Sequence, residues 1–342
     1  MISAHHRGDR VRAFAPGRVN LIGDHTDYTG GIALPMAIEL GTTVEGQVLP
    51  DDPRVRLTST TQAFAVDLPI VIVDPTVVDP PWGRYVAGVV QEVQPPHGFE
   101  GTVSTTLPIG SGLSSSASLE LAVALALGFD GTPRDLAALG QRAEQQASGV
   151  PCGIMDQLAS ACGIPGHALL INFTTLSAKP TAIPPDAEIV VVHSGEHREL
   201  AGSAYADRRI ACERAAALIG PLLDATPADV GEIRDPMIRA RARHVVSENS
   251  RVRDFASALA DDDLPRAGKL MVASHRSLAT DFQVSTPGLD ALVRRLVATP
   301  GVFGARLTGA GFGGCVVALT RPGTLTEGWV VRPSGGATRT NL

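Results

Sequence analysis

The sequence predicts a two-domain α+β protein, on three observations. Its 342 residues exceed the roughly 100–200 residues of an ordinary single domain. Apolar patterning divides the chain into two successive blocks, each opening with strands and passing into helices. Regular strand–helix–strand alternation, the mark of a doubly wound parallel sheet, is missing. The boundary falls near residue 165, giving domains of residues 1–165 and 166–342, with the final strand able to pack back on the first.

In the first block, "RVRAFA", "GIALPMAI", "TTVEGQV", "RVRLTS" and "TVSTTL" alternate or run apolar between Gly, Pro and Asp breaks and read as strands. A helix from about Trp82 to Val93 interrupts them. Between Leu113 and Ala161 the pattern turns helical in three pieces. The second has Thr132 as N-cap, Pro133 at the first position and Gly149 just past its end. The third, starting near Gly153, carries an apolar stripe of Met155, Leu158, Ala159 and Cys162. In the second block the strands "HALLINF" and "EIVVVHS" lead into long helices between about Glu199 and Thr299. The strands "GARLTG" and "GCVVALT" follow. No repeat of 20 to 50 residues is seen.

Composition narrows the function. A hydrophobic content of 44%, 19% charged residues and a net charge of -6 describe a globular chain without a basic stripe, so neither nucleic acid nor a membrane surface is an expected partner. The N-terminal "MISAHHRGDRVRAFAPG" lacks the apolar core of a signal peptide, and no apolar stretch nears the roughly 20 residues that span a bilayer. The expected location is cytoplasmic, and a monomer is the simpler expectation. Cys152, Cys162, Cys212 and Cys315 show no C-x-x-C pairing and read as small buried residues. Cys152 is also weighed as a nucleophile, the lesser reading.

Chemistry concentrates in three places. "LPIGSGLSSSASLELAVALAL" runs from a strand through a Gly/Ser loop into an Ala/Leu helix, so unpaired N–H groups and the positive end of the helix dipole face whatever occupies the loop. Without a lysine it is no Walker loop, and without a third glycine no dinucleotide fingerprint. Taken alone it is as readily a helix cap. "LTGAGFGGCVVAL" joins two strands through a second glycine cluster, and "GRVNLIGDHTDYTGG" gathers two acids, an arginine and a histidine at a strand end. Two glycine clusters with acids between them suggest a nucleotide site.

Together these stretches resemble the galactokinases of the GHMP kinase superfamily. Its three motifs are matched in order by "GRVNLIGDHTDYTGG", "LPIGSGLSSSASLE" and "LTGAGFGGC". The likeness extends through "AEQQASGVPCGIMDQLAS", "SAYADRRIACE", "RARHVVSENSRV", "SHRSLATDFQVSTPGLDALV" and "RPSGGA", nearly the whole chain. The resemblance implies the two-domain GHMP kinase fold: an N-terminal domain that is ribosomal protein S5 domain 2-like, a ferredoxin-like C-terminal domain, and an active site in the cleft between them. It also implies ATP-dependent phosphorylation of the C1 hydroxyl of galactose, giving galactose 1-phosphate and ADP.

Residue by residue, the resemblance makes Asp156 the acid facing the sugar hydroxyl. Arg18 is its partner, keeping it charged and reaching the transferring phosphoryl group. An arginine suits that task, being permanently charged with a rigid fork of donors. Asp24, His25, Asp27, Gly153 and Tyr205 are implied to bind the sugar, with Asp24 and His25 at its C6 end. Gly110, Ser111, Gly112, Leu113, Ser114, Ser115 and Ser116 are implied to bind ATP. Ser116 and Glu144 would ligate Mg2+, Glu144 lying twelve positions before Asp156 as the family pattern has it. Read without the resemblance, Asp156 is a first-turn acid, Arg18 a strand-end surface residue, Glu144 an exposed helix acid and Ser116 a capping hydroxyl.

One position departs from the family, which has glutamate where this chain has Asp24. The shorter side chain withdraws the carboxylate by about 1 Å, enough to lose a direct hydrogen bond or to admit a water or a larger C6 group. Galactose is the first expected substrate and a related sugar the alternative. A non-catalytic sugar and ATP sensor is the competing class, disfavoured by the complete "GLSSSASLE". GHMP kinases of mevalonate or homoserine lack the "GDHTDY" signature.

Overall fold

The computed structural model describes residues 9–108, 112–196 and 201–342, with no side-chain description at 201–203. In chain order the elements are β1 (Arg10–Asn20), β2 (Ile32–Ala33), β3 (Pro35–Leu49), β4 (Arg54–Ser59), β5 (Val66–Pro69), α1 (Gly83–Val93), β6 (Gly98–Thr105), α2 (Ser115–Ala126), α3 (Pro133–Ser148) and α4 (Met155–Cys162). Then come β7 (His167–Asn172), β8 (Ser177–Ala182), β9 (Glu188–His193), α5 (Ala201–Ile219), α6 (Pro227–Gly231), α7 (Pro236–Ala260), α8 (Leu264–Ser277), α9 (Pro287–Val297), β10 (Val302–Thr308), β11 (Cys315–Thr320), β12 (Trp329–Val331) and β13 (Thr338–Asn341). The fold is α+β, as expected.

A six-stranded sheet in the order β13-β1-β3-β6-β4-β5 carries α1 to α4, and a four-stranded sheet in the order β10-β11-β9-β12 carries the later helices. A three-stranded sheet, β2-β7-β8, packs against β3 and α7. The helix α2 is apolar on almost every side because β1, β3, α3 and α4 surround it. The helix α3 begins in a reciprocal cap between Thr132 and Asp135 and ends where Gly149 adopts left-handed backbone at φ 69°.

Three apolar clusters hold the layers. One lies under the six-stranded sheet, and one lies among the later helices. The third joins Val19, Leu21, Ile22 and Leu34 to Phe255, Met271, Cys315 and Val317. This last cluster fixes the end of β1, and the acid-rich loop after it, against the C-terminal helices.

The structure corrects several sequence expectations. "GIALPMAI" and "TTVEGQV" are not two strands divided by Gly41; β3 runs unbroken through it, and Gly41 is there because a Cβ would lie 2.3 Å from the Ala15 carbonyl oxygen. The helix expected from Gly153 starts at Met155, two residues later. Strands β5, β8 and β12 were not anticipated, β5 and β12 being only four and three residues long and β8, "SAKPTA", having no buried residue, whereas the expected final strand is β13, paired with β1. Among the described residues no helix is long and apolar enough to cross a membrane.

Candidate active site

The site is assembled from the end of β1, the start of α2 and the start of α4. At Gly17 the pairing of β1 with β3 slips in register, and β1 runs so close to the neighbouring loop that a Cβ would lie 2.6 Å from the Leu113 carbonyl oxygen. Such a slip re-aims the following side chain. Arg18 donates its backbone N–H to that same carbonyl at 3.1 Å and its Nη1 to the Gly112 carbonyl at 2.7 Å. Its Nε and Nη2 reach the two carboxylate oxygens of Asp156, at 2.8 and 2.7 Å. This is the two-pronged geometry that lysine cannot reproduce.

Asp156 sits in the first turn of α4, where the helix dipole favours an anion. Its Oδ2 also accepts from Ser114 Oγ at 2.5 Å. Ser114 precedes α2 in left-handed backbone, φ 63° and ψ 51°, a conformation costing a non-glycine residue of order 1 kcal/mol. Ser114, expected at the ATP phosphates, therefore has its hydroxyl on the Asp156 carboxylate. Of the other loop residues, Leu113 is buried in the core, Ser115 is exposed at the helix start, and Gly112 carries the carbonyl that Arg18 holds. Gly110 and Ser111 lie outside the described residues.

A cleft of about 410 Å³ opens beside this pair, lined by Arg18, Asp24, His25, Asp27, Glu144 and Asp156 together with Gly153 and Tyr205. That is a usual size for a small-molecule site. Seven of the sequence-predicted sugar and catalytic residues, and the predicted metal ligand Glu144, thus share one wall or another of it. Gly153 is glycine because a Cβ would lie 1.7 Å from Asp27 Oδ2.

The acids differ in their engagement. Asp24 is almost wholly buried: Oδ1 accepts the Gly309 N–H at 2.9 Å and Oδ2 pairs with Arg306 Nη2 at 2.5 Å. Burial raises its carboxyl above the ordinary range and Arg306 works the other way. His25 donates from Nε2 to the Ala310 carbonyl at 3.2 Å, which leaves Nδ1 to accept from the Tyr28 hydroxyl at 2.9 Å. Burial and neighbouring positive groups push His25 down to about 3, so the ring is neutral. Tyr205 packs on both His25 and Tyr28.

Asp27 lies half-buried in a short 3-10 turn, Asp27–Thr29. Burial, and then the charge of Asp156, raise it to about 7. A carboxyl raised from 3.8 to about 7 on folding contributes stability that is complete below pH 3.8 and is lost as pH climbs through 7. Asp27→Asn is therefore expected to stabilise the unliganded protein relative to wild type by about 1–2 kcal/mol more at pH 8 than at pH 5, discounted for the open cleft. Thermal melts at the two pH values check it; an equal shift at both would remove Asp27 as the titrating group.

Glu144 on α3 accepts from Ser116 Oγ at 2.8 Å and from Gln157 Nε2 at 2.5 Å. Burial, then Asp156, raise its carboxyl above the usual range. A hydroxyl and a carboxylate in contact, on a carboxylate that gains from a nearby cation, fit a hard oxygen-seeking ion such as Mg2+. Among the described residues no three or more His, Cys, Asp or Glu side chains cluster as a metal cage, so phosphate and water oxygens would complete such a shell. Behind Glu144, Glu120 is fully buried and pushed well above the usual range by burial and by Glu144. Burial and the surrounding acids push the Cys152 thiol strongly upward, which works against the thiolate a nucleophile needs.

Sequence reasoning flagged the glycine cluster that supplies Gly309 and Ala310 to the lining without assigning those residues a role, and it missed Tyr85 there and Arg306 behind it. Arg306 did leave a signal, a lone arginine inside the apolar strand "GARLTG" that is fully buried in the structure.

Comparison with known proteins gives concordant matches. The galactokinase galactose-binding signature matches residues 3–48, the GHMP kinase N-terminal domain residues 84–164 and the GHMP kinase C-terminal domain residues 255–327. The fold superimposes on Lactococcus lactis galactokinase, solved in complex with galactose, at 31% identity over 96% of this chain and 95% of that one, with a TM-score of 0.88. Methanococcus jannaschii mevalonate kinase matches at 21% identity over 99% and 98% of the two chains, TM-score 0.67. A homoserine kinase from Cytophaga hutchinsonii matches at 16% over 99% and 100%, TM-score 0.59. These last two share the fold.

Proposed function

Because this chain belongs to the galactokinase family of GHMP kinases, we propose that it transfers the γ-phosphoryl group of ATP to the C1 hydroxyl of galactose. As a sugar kinase it uses ATP. The observation that carries the finer reading is the Arg18–Asp156 pair facing the same cleft as Asp27, with the start of α2 adjoining it.

In this reading the sugar's ring hydroxyls donate to Asp27, whose carboxylate has the cleft in front of it, and the Gly153 N–H and the Tyr205 phenol add contacts. The C1 hydroxyl lies against Asp156. Its oxygen forms a bond to the γ-phosphorus, the bond from that phosphorus to the bridging oxygen of ADP breaks, and the hydroxyl proton passes to Asp156. That proton moves late, after the leaving bond has largely opened, so alignment and charge stabilisation carry most of the rate. Arg18 aligns Asp156 through two bonds and brings positive charge to the transferring group. Ser116 and Glu144 would hold Mg2+, which when bound supplies charge neutralisation at the phosphates. The division into residues 1–165 and 166–342 belongs to the same reading.

Asp24 favours galactose with a relaxed C6 end, since both its oxygens are already taken by Arg306 and Gly309. The test is sugar-dependent ADP release across a panel of hexoses and pentoses with Mg2+. Galactose is expected to give the highest kcat/KM. A tenfold preference for another sugar would move the substrate assignment, and no sugar-dependent release at all would favour the sensor.

A further inference from the structure

The acid-rich loop between β1 and β2 is held from outside by one face of α7, although no residue of α7 lines the cleft. His244 and Glu248, four positions apart, lie on one side of the helix, and Asn249 stands about 100° round from Glu248, toward the same loop. His244 Nε2 donates to the Asp24 carbonyl at 3.2 Å, Glu248 Oε1 accepts the Gly23 N–H at 3.1 Å, and Asn249 Oδ1 accepts the Ile32 N–H at 3.0 Å. All three side chains are at most 1% exposed. The bonds fall at the two ends of the segment bearing Asp24, His25 and Asp27.

Each of the three is itself fixed from behind. His244 Nδ1 accepts from Ser277 Oγ at 2.9 Å, and its ring packs at a tilt of 43° on Phe282 with centroids 4.6 Å apart. Glu248 accepts from Ser274 Oγ at 2.5 Å and from Arg251 Nε at 2.7 Å, and Asn249 Nδ2 donates to the Leu222 carbonyl at 3.4 Å. Within the loop Thr26 Oγ1 spans the Gly23 and Ile32 carbonyls, 2.8 Å from each. The loop thus has bonds of its own, and α7 fixes its backbone from one side while Arg306, Gly309 and Ala310 hold the Asp24 and His25 side chains from the other. The fit is close: a Cβ on Gly31 would lie 2.6 Å from Asn249 Oδ1.

We propose that His244, Glu248 and Asn249 are positioning residues for sugar recognition, setting the placement of the Asp24–Asp27 segment relative to Asp156. The proposal rests on the reading of the cleft as the galactose site. None of the three touches the Arg18–Asp156 pair or the start of α2, so loss of one bond moves sugar affinity and leaves nucleotide affinity alone.

The test is calorimetric titration with galactose and, separately, with a non-hydrolysable ATP analogue, for wild type, His244→Phe, His244→Gln and Asn249→Ala. His244→Phe keeps the ring contact with Phe282 and removes the N–H, while His244→Gln restores a donor near Nε2. The expected result is a loss of galactose affinity of about tenfold in His244→Phe and Asn249→Ala, nucleotide affinity within about twofold of wild type, and recovery of most of the loss in His244→Gln. Unchanged galactose affinity, a parallel fall in both affinities, a glutamine variant no better than phenylalanine, or failure of both His244→Phe and Asn249→Ala to fold overturns it. A wild-type protein that binds the nucleotide but no galactose instead overturns the reading of the cleft, and this proposal with it.

Discussion

Asp156→Asn is expected to lower kcat by about 10²–10⁴ while the protein stays folded and binds nucleotide. The amide matches the carboxylate in shape, so the start of α4 and the cleft keep their form. It cannot take the hydroxyl proton. It also turns an NH2 toward the donors that Asp156 now satisfies, Arg18 Nε and Nη2 and Ser114 Oγ. Both effects act on the turnover step, so kcat falls more than the galactose KM rises. A coupled assay of ADP production, with circular dichroism as the folding control, measures this. Turnover within about fivefold of wild type would remove Asp156 from its role.

Arg18→Ala is expected to cost at least as much, about 10³ in kcat or more, on the scale of removing an arginine that stabilises a transferring phosphoryl group. A second effect separates it from the aspartate variant. Arg18 Nη1 also holds the Gly112 carbonyl, so its loss releases the loop leading into α2 and raises the nucleotide KM. Arg18→Lys is expected to recover only part of the rate, because one ammonium cannot bridge both carboxylate oxygens and reach that carbonyl as well. Equal kcat and KM values for Arg18→Lys and wild type would show that charge alone suffices there.

The residues at the centre of the site were legible through the family resemblance of the motifs that carry them, not from their own surroundings. Read alone, Asp156 is a first-turn acid and Arg18 a strand-end arginine; the structure joins them across 138 positions. Helix α3 was legible for a local reason, since Thr132, Pro133 and Gly149 are the residues that helix ends require. What stayed hidden depends on contacts between distant segments. Ser114 reads as one of three adjacent serines, and nothing local says that its hydroxyl turns to Asp156. Gly41 reads as a strand break until Ala15 is seen pressed against it. His244, Glu248 and Asn249 read as polar residues on a long helix; only the packing of that helix on the loop after β1 shows what they hold.

The pairing of β13 with β1, Val11 opposite Asn341 and Phe14 opposite Thr338, has a consequence for biosynthesis. While the chain is still growing on the ribosome, the edge of β1 has no neighbour on that side until residues 338–341 emerge, although the strands beside it were made much earlier. The newborn sheet waits with an open flank, the condition under which nascent strands pair with the wrong chain. Completion of the sheet around β1 is thereby tied to a strand translated about 330 residues after it.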